Sequence, residues 1–380
     1  MADPCDVCGA AGGMRPLLEV GLPGVGPVWI HRCGGCGMRQ VRPRLGAAAL
    51  DALYGADYFD SQSAHGFAGY ARQRQRYDRE AFFLARELRG LAPTGRFLEV
   101  GSALGFLLAS LEPRTGWEVE GVELSAFGAW YAGDRFGVRV YRGTLEEAGL
   151  PAATFDYVLQ KDLLEHVAHP RRHLEETRRI MRPGARLRVI TPNGEADVRP
   201  LRRAAAELGP DALPSLGQGH LSFFSREQLL RLLGGVGFRV LRVRSIGIRR
   251  GLRALGTIPG RSSRTGVIRR SALAARRPSG ATGGERVAPR GREEVAAEPE
   301  PLLTSGSSPS AVTGREEVAA AGPEPREEQA ARIDAEIAAH HRRVRAWRPY
   351  FHYRRLVKRL DALPGALAYG QDFDLLVEKR

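Results

Sequence analysis

Two periodicities divide this chain. Tyr77, Ala81, Leu84, Leu88 and Leu91 recur at helical spacing, with arginines on the other face. That helix should stop before Pro93, because the residue ahead of a proline avoids the α region. From Arg96 the pattern changes to short apolar runs separated by turns. It predicts strands at 96–100, 117–122, 138–141, 155–160 and 185–191, with helices near 104–112, 125–135 and 171–182. Such alternation with short connections predicts a parallel sheet with right-handed crossovers. From Thr191-Pro192-Asn193 to about Gly219 the chain is polar and shows no clear period. Ser225 and Gln228 then read as a capping box for a helix over 226–234, followed by a sixth strand at 237–244. Near the end, Phe373, Leu375 and Val377 alternate with Asp374, Leu376 and Glu378, which reads as one more strand.

The run from Arg96 to Leu108 is a strand, a glycine turn and a helix start. Gly101 suits the positive φ of a tight turn, and Gly105 permits close approach of the helix to the strand or to a ligand. Ala103 lies between them, where an alanine is tolerable if its φ stays negative. Such a turn aims helix N–H groups at whatever lies over the strand end. The next strand ends in Glu123, whose carboxylate can accept both hydroxyls of a ribose.

Three further segments follow in a fixed order: Phe155-Asp156-Tyr157-Val158-Leu159-Gln160, Leu164-Glu165-His166, and a strand ending in Thr191-Pro192-Asn193. With the glycine turn and Glu123, this order resembles the class I S-adenosylmethionine-dependent methyltransferases, in the methyltransferase-23-like subgroup with an N-terminal zinc ribbon. The resemblance covers roughly 96–245. It departs from the family at Ala103, where a third glycine is common. It implies a Rossmann-like α/β fold with a seven-stranded sheet, the last strand antiparallel between the fifth and sixth. The cofactor would be S-adenosylmethionine, bound by Glu99, Gly101, Ser102, Gly105, Glu123, Leu124, Leu145, Glu146 and Gln160. Glu99 would orient the loop or the methionine amino group, and Leu145-Glu146 the adenine. The candidate bases are Glu165, His166 and His220, with His169 weaker because it precedes Pro170 at a helix start. The bland alternative is that Glu165 and His166 only cap a helix or bond loop backbone.

All four cysteines lie in the first tenth of the chain, as Cys5-x-x-Cys8-Gly9 and Cys33-x-x-Cys36-Gly37. Two such pairs read as knuckles that present four thiolates to one structural Zn²⁺, with Pro27 to Arg32 a strand returning to the second knuckle. Two disulfides are the alternative in an oxidising compartment. The aromatic-rich stretch 44–70 either lines the cofactor cleft through Tyr58 or Tyr70, or packs the ribbon onto the catalytic domain.

Composition changes the picture in two places. Hydrophobic residues make up 43% of the chain, enough for a core, yet no run of about 18 apolar residues appears. The first residues do not read as a signal peptide, so a cytoplasmic location is expected. Net charge is +14, and lysine occurs only at 161, 358 and 379, so arginine carries the excess. Residues 239–284 hold twelve arginines and no acid; such a segment could hold a diphosphate or face an anionic membrane. The segment 257–326 is rich in Gly, Pro, Ser and Ala, with Gly291–Ala297 nearly repeated at Gly314–Ala320, and reads as disordered.

The organisation is therefore 1–45 zinc ribbon, 46–256 methyltransferase domain with an N-terminal helical lid, 257–326 low-complexity insertion, and 327–380 C-terminal helices with the final strand. The acceptor implied by the resemblance is a small molecule, such as a nucleotide- or lipid-linked sugar methylated on O or C. A nucleic-acid-binding or -modifying ribbon protein and a non-catalytic scaffold are the rivals. The ribbon's few basic residues weigh against the first, and Glu123 with the glycine turn against the second.

Overall fold

The computed structural model describes residues 3–54, 58–59, 69–209, 212–217, 219–246, 267–269, 323–346, 363–364 and 372–380. Residues 248–256, which the sequence also suggests as a helix, most of the insertion, and the stretch with Trp347, Tyr350, Phe351 and Tyr353 among arginines lie outside the described residues.

The N-terminal segment is a meander of β1 (Met14–Leu22), β2 (Gly26–Cys33) and β3 (Arg39–Arg42), followed by α1 (Ala47–Leu53). Then come α2 (Arg74–Arg89), β4 (Arg96–Val100), α3 (Phe106–Leu111), β5 (Glu118–Glu123), α4 (Ala126–Phe136), β6 (Arg139–Arg142) and β7 (Phe155–Lys161). A short 3₁₀ turn, Leu164–His166, leads to α5 (Pro170–Ile180), β8 (Met181–Pro192) and α6 (Gly194–Glu207). The remaining elements are β9 (Ala212–Pro214), β10 (Ser222–Phe223), α7 (Arg226–Val236), β11 (Phe238–Ile246), β12 (Val267–Arg269), α8 (Pro323–Ala346), β13 (Leu363–Pro364) and β14 (Asp372–Lys379).

The central sheet runs β13-β11-β14-β8-β7-β4-β5-β6. Strands β6, β5, β4, β7 and β8 are parallel. The C-terminal strand β14 lies antiparallel between β8 and β11, as expected. The seven-stranded Rossmann-like α/β sheet is thus present, and the two-residue β13 extends one edge. Alternation along β4 explains the layers. Phe97 faces a core with α2, α3 and α4, while Leu98 and Val100 face Leu174 of α5 and Leu229 and Leu232 of α7. Arg188 of β8 donates two hydrogen bonds to the Asp374 carboxylate of β14 at 2.9 and 2.8 Å, which fixes the register of the last strand.

Three expectations need correction. The stretch after Asn193 is not patternless: Asn193 caps α6, its side chain accepting the Glu195 N–H at 3.2 Å. Ala196, Val198 and Leu201 form the buried face of α6, but Pro200 and three consecutive alanines mask that periodicity. A Cβ on Gly194 would stand 2.3 Å from the Phe223 carbonyl carbon, so only glycine lets α6 begin against β10. The second correction concerns the insertion: Val267–Arg269 pairs antiparallel with β9, so this part of it is a strand. The third concerns the ribbon, which does not end at residue 45. Its sheet continues from β3 into β10, and its core takes in Leu53, Val198, Leu201 and Phe223. Asp6 and Val7 backbone carbonyls also accept from Arg171 of α5. The N-terminal sheet is therefore fastened to the domain of the central sheet.

The capping box at Ser225 and Gln228 is present, and the helix ends at Gly237 in the left-handed region. No helix among the described residues is long and apolar enough to cross a membrane.

Candidate active site

The carboxyl ends of β4, β5, β7 and β8 carry the predicted site. At β4, Gly101 has φ 78° and Gly105 φ 70°. Ala103 stands between them at φ 52°, so the condition of a negative φ is not met. The reason is a bond that the sequence does not announce: Ala103 donates its backbone N–H to Glu123 Oε2 at 2.7 Å, which turns the peptide into the left-handed region. Glu123 Oε1 accepts the Ser125 N–H at 2.8 Å. Burial raises the Glu123 pKa, while N–H groups of Ser125, Ala103 and Leu124 oppose the shift. The carboxylate therefore holds the glycine turn and faces the strand end at the same time.

Gly105 serves packing. A Cβ there would lie 2.6 Å from the Ala132 Cβ, so the missing side chain lets α3 close on α4. Ser102 is buried, its hydroxyl turned toward Gly121 of β5. Leu124 is half-buried beside Glu123. Leu145 is buried in the core, and Glu146 is half-buried with a pKa raised by burial and opposed by Arg172. Gln160 is placed differently from the expectation. Its amide donates to Thr177 Oγ1 of α5 at 2.8 Å, and strand alternation turns it away from the face that carries Glu99.

Glu99 is 4% exposed, and its Oε2 has no hydrogen-bond partner among the described residues. Burial raises its pKa well above the usual carboxylate range, with Lys161 opposing. Lys161 Nζ donates to Glu80 Oε2 at 2.5 Å and lies 4.4 Å from the Tyr77 ring centroid. This cation was not singled out from sequence; only its position at the end of β7 marks it. Glu99 is thus a buried acceptor with an oxygen to spare, suited to an ammonium group.

Glu165, His166 and His220 come together, with one donor atom from each lying within 4.8 Å of the others. Glu165 and His166 follow β7, and His220 precedes β10. Glu165 Oε2 accepts the Thr191 hydroxyl at 2.9 Å, while Oε1, in a residue 1% exposed, has no partner among the described residues. His166 Nδ1 bonds the Tyr54 hydroxyl at 2.8 Å, and its Nε2 is 3.8 Å from Glu165 Oε1. His220 Nδ1 bonds Asp197 Oδ2 at 2.9 Å. The two rings meet edge to face, centroids 4.9 Å apart. Burial and the charge of His220 push His166 down to about 3. Burial also opposes charge on His220, but Asp197, Glu165 and Asp162 outweigh it and lift the ring to about 9. Burial raises Glu165 to about 8, against His220 and with Asp162. The two imidazoles are therefore pushed in opposite directions, His166 down by burial and the charge of His220, and His220 up by the carboxylates around it despite burial. His169 only occupies the cap position of α5, without a side-chain cap bond.

Tyr54 and Tyr58 link the two halves of the site. Their rings are 5.1 Å apart, and the charges of both Glu123 and Glu165 act on both phenols. Tyr58 thus lies on the cleft side, whereas Tyr70 stacks on Phe106 and donates to the Tyr77 hydroxyl at 3.0 Å. Phe59 covers the flank of Glu123: a Cβ on Gly128 would lie 3.0 Å from the Phe59 ring and 3.1 Å from Glu123 Cγ.

At the ribbon, Cys5 Sγ is 3.6 Å from Cys36 Sγ and Cys8 Sγ 3.6 Å from Cys33 Sγ. All four sulfurs lie within 4.8 Å of one another, and the cysteines are free. Backbone N–H groups of Val7 and Cys8 face the Cys5 sulfur, and those of Gly35 and Cys36 the Cys33 sulfur. Those N–H bonds help hold Cys33 down at about 7 despite burial. His31 is not part of this cluster; its Nδ1 is 3.3 Å from the Trp29 carbonyl oxygen.

A parallel sheet with an antiparallel last strand, a glycine turn over its middle and an acid at the next strand end define the class I S-adenosylmethionine-dependent methyltransferases. Residues 70–243 match the family described as Methyltransferase domain, so this part of the chain is a methyltransferase domain. Solved structures similar to it include a SAM-dependent methyltransferase from Thermotoga maritima, 27% identical, covering 47% of this chain and 83% of that one, with TM-score 0.34. A second, from Mesorhizobium loti, is an S-adenosylmethionine-dependent methyltransferase, 18% identical, covering 42% and 82%, with TM-score 0.34. A third is a geranyl diphosphate methyltransferase in complex with SAM, 20% identical, covering 48% and 75%, with TM-score 0.36. Comparison with curated proteins finds no match.

Proposed function

We propose that the chain transfers a methyl group from S-adenosylmethionine to a hydroxyl of a small molecule, with a sugar-type acceptor as the leading class. The observation that carries this reading is the cluster of Glu165, His166 and His220, on strand ends neighbouring the one that bears Glu123. Glu123 would hold the ribose hydroxyls. The spare oxygen of Glu99 suits the methionine ammonium, and the turn from Gly101 to Gly105 the rest of that moiety. When bound, the sulfonium supplies an electrophilic methyl group. As the O–C bond forms, the S–C bond breaks with its electron pair going to sulfur, and the acceptor proton passes to the Glu165–His166–His220 cluster. The protein's task is to align the two reactants and exclude water. Tyr54, Tyr58 and Phe59 suit that task, as aromatics between the two halves of the site.

The four cysteines suit one structural Zn²⁺. Their separations match the spacing that Zn–S bonds of about 2.3 Å in a tetrahedron require, and the backbone N–H groups support thiolates. Zinc there would hold the ribbon that carries α6 and His220 against the sheet. The organisation into ribbon, methyltransferase domain, insertion and C-terminal strand is part of the same proposal, with the ribbon extended to β10.

The test is a methyl-acceptor screen by mass spectrometry with the full chain, S-adenosylmethionine, nucleotide sugars, free hydroxylated small molecules and RNA. Transfer to hydroxyls of small molecules is expected. Transfer to RNA alone would overturn the reading.

A further inference from the structure

Each member of the Glu165–His166–His220 cluster has one atom held by an outer partner and another turned inward. Tyr54 takes His166 Nδ1, Asp197 takes His220 Nδ1, and Thr191 takes Glu165 Oε2. Left over are Nε2 of His220 and Oε1 of Glu165, while His166 also bonds the Gly219 backbone, a contact that a cation at its Nε2 would replace. That oxygen is buried without a hydrogen-bond partner among the described residues, 3.8 Å from His166 Nε2. A buried acceptor is ordinarily satisfied. An imidazole whose second nitrogen is fixed by a carboxylate is the usual arrangement of a metal-ligating histidine, because that bond sets the tautomer and raises ligand basicity.

We infer that Glu165, His166 and His220 form a divalent-cation site. Two imidazoles and one carboxylate favour Mn²⁺, Fe²⁺ or Zn²⁺ over Ca²⁺ or Mg²⁺. Ligand bonds of about 2.0–2.2 Å need donor atoms roughly 3–4 Å apart, and these lie within 4.8 Å, so small side-chain shifts close the set. Asp162 adds a second negative charge, whose field reaches Glu165 and His220. Three protein ligands leave positions open, as in catalytic rather than structural sites. An acceptor with two adjacent oxygens would fill them, and the cation would ease loss of its proton, which then leaves to water because the three side chains are engaged as ligands. This role in catalysis rests on the reading above; the binding of the cation does not.

The experiment uses the full chain purified with its zinc and titrated with Mn²⁺, followed by electron paramagnetic resonance. One Mn²⁺ per chain is expected, lost in Glu165→Gln and His220→Ala, and at least tenfold weaker in Asp197→Asn. The Asp197 variant keeps all three ligands, so it tests the site even if the others fail to fold. Circular dichroism and S-adenosylmethionine binding verify each fold. Absence of Mn²⁺ binding, or binding indifferent to all three variants, would overturn the site. Methyl transfer to a hydroxylated small molecule that persists in chelator, with no Mn²⁺ bound, would overturn the site and leave the proposed function standing. Mn²⁺ bound as expected, without transfer to any such acceptor, would support the site and contradict the proposed function.

Discussion

The backbone N–H of Ala103 is bound to the carboxylate of Glu123 at 2.7 Å, and Ala103 stands at φ 52° as a result. A residue with a Cβ pays roughly 1–2 kcal/mol in that region. Ala103→Gly relieves this strain but adds disorder to the unfolded chain, so stability should change by less than about 1 kcal/mol. S-adenosylmethionine affinity should stay close to wild type. Ala103→Val places a β-branched side chain at positive φ and should cost about 2 kcal/mol or more, with loss of binding. Thermal melts and calorimetric titration of both variants measure this.

The ribbon gives a second prediction. Purified protein should carry one Zn²⁺ per chain, and Cys33→Ser should release it. Because β3 pairs with β10, and α6 packs on the ribbon core, the loss should spread beyond residue 45. Proteolysis of the variant should cut in 1–45 and also near α6. Cleavage confined to the first 45 residues would mean that the ribbon is an independent module.

His173 gives a pH dependence. It is 3% exposed on α5, and burial pushes its pKa down to about 4, with Glu176 opposing. The folded state therefore binds its proton less readily than the unfolded chain, whose value is near 6.5. This contribution to stability is present above about pH 6.5 and is lost as pH falls through that value toward 4. The loss amounts to about 3 kcal/mol. His173→Leu should flatten the fall by that amount in urea melts at pH 7 and pH 4; an equal fall in both proteins would contradict it.

The sheet was legible because its strands are short apolar runs between glycine turns, and β14 was legible from the alternation of Phe373, Leu375 and Val377. Glu123 and the Glu165–His166–His220 candidates were legible because each sits at or near a strand end. What was not legible depends on contacts distant in sequence. Nothing near His166 points to Tyr54, and nothing near His220 distinguishes Asp197 as its partner. Gln160 was misplaced because strand alternation, not motif position, decides its face. α6 was missed because its buried stripe is mostly small residues interrupted by Pro200.

The last strand follows from the same register. Asp374 is buried and holds Arg188 with two hydrogen bonds. Asp374→Ala would leave the guanidinium only Glu87, 3.8 Å away, as a charged partner and should cost about 2 kcal/mol. Deletion of 372–380 exposes edges of both β8 and β11 and should unfold the domain. A truncated protein that stays folded and binds S-adenosylmethionine would show that β14 is dispensable.

The most direct measurement is calorimetric titration of the full chain and of Glu123→Ala with S-adenosylmethionine. The wild type should bind one equivalent. The variant, folded by circular dichroism, should lose about 2 kcal/mol, roughly thirtyfold in affinity, because the ribose hydroxyls lose their charged acceptor. Equal affinities, or a wild type that does not bind, would contradict the assignment of this site.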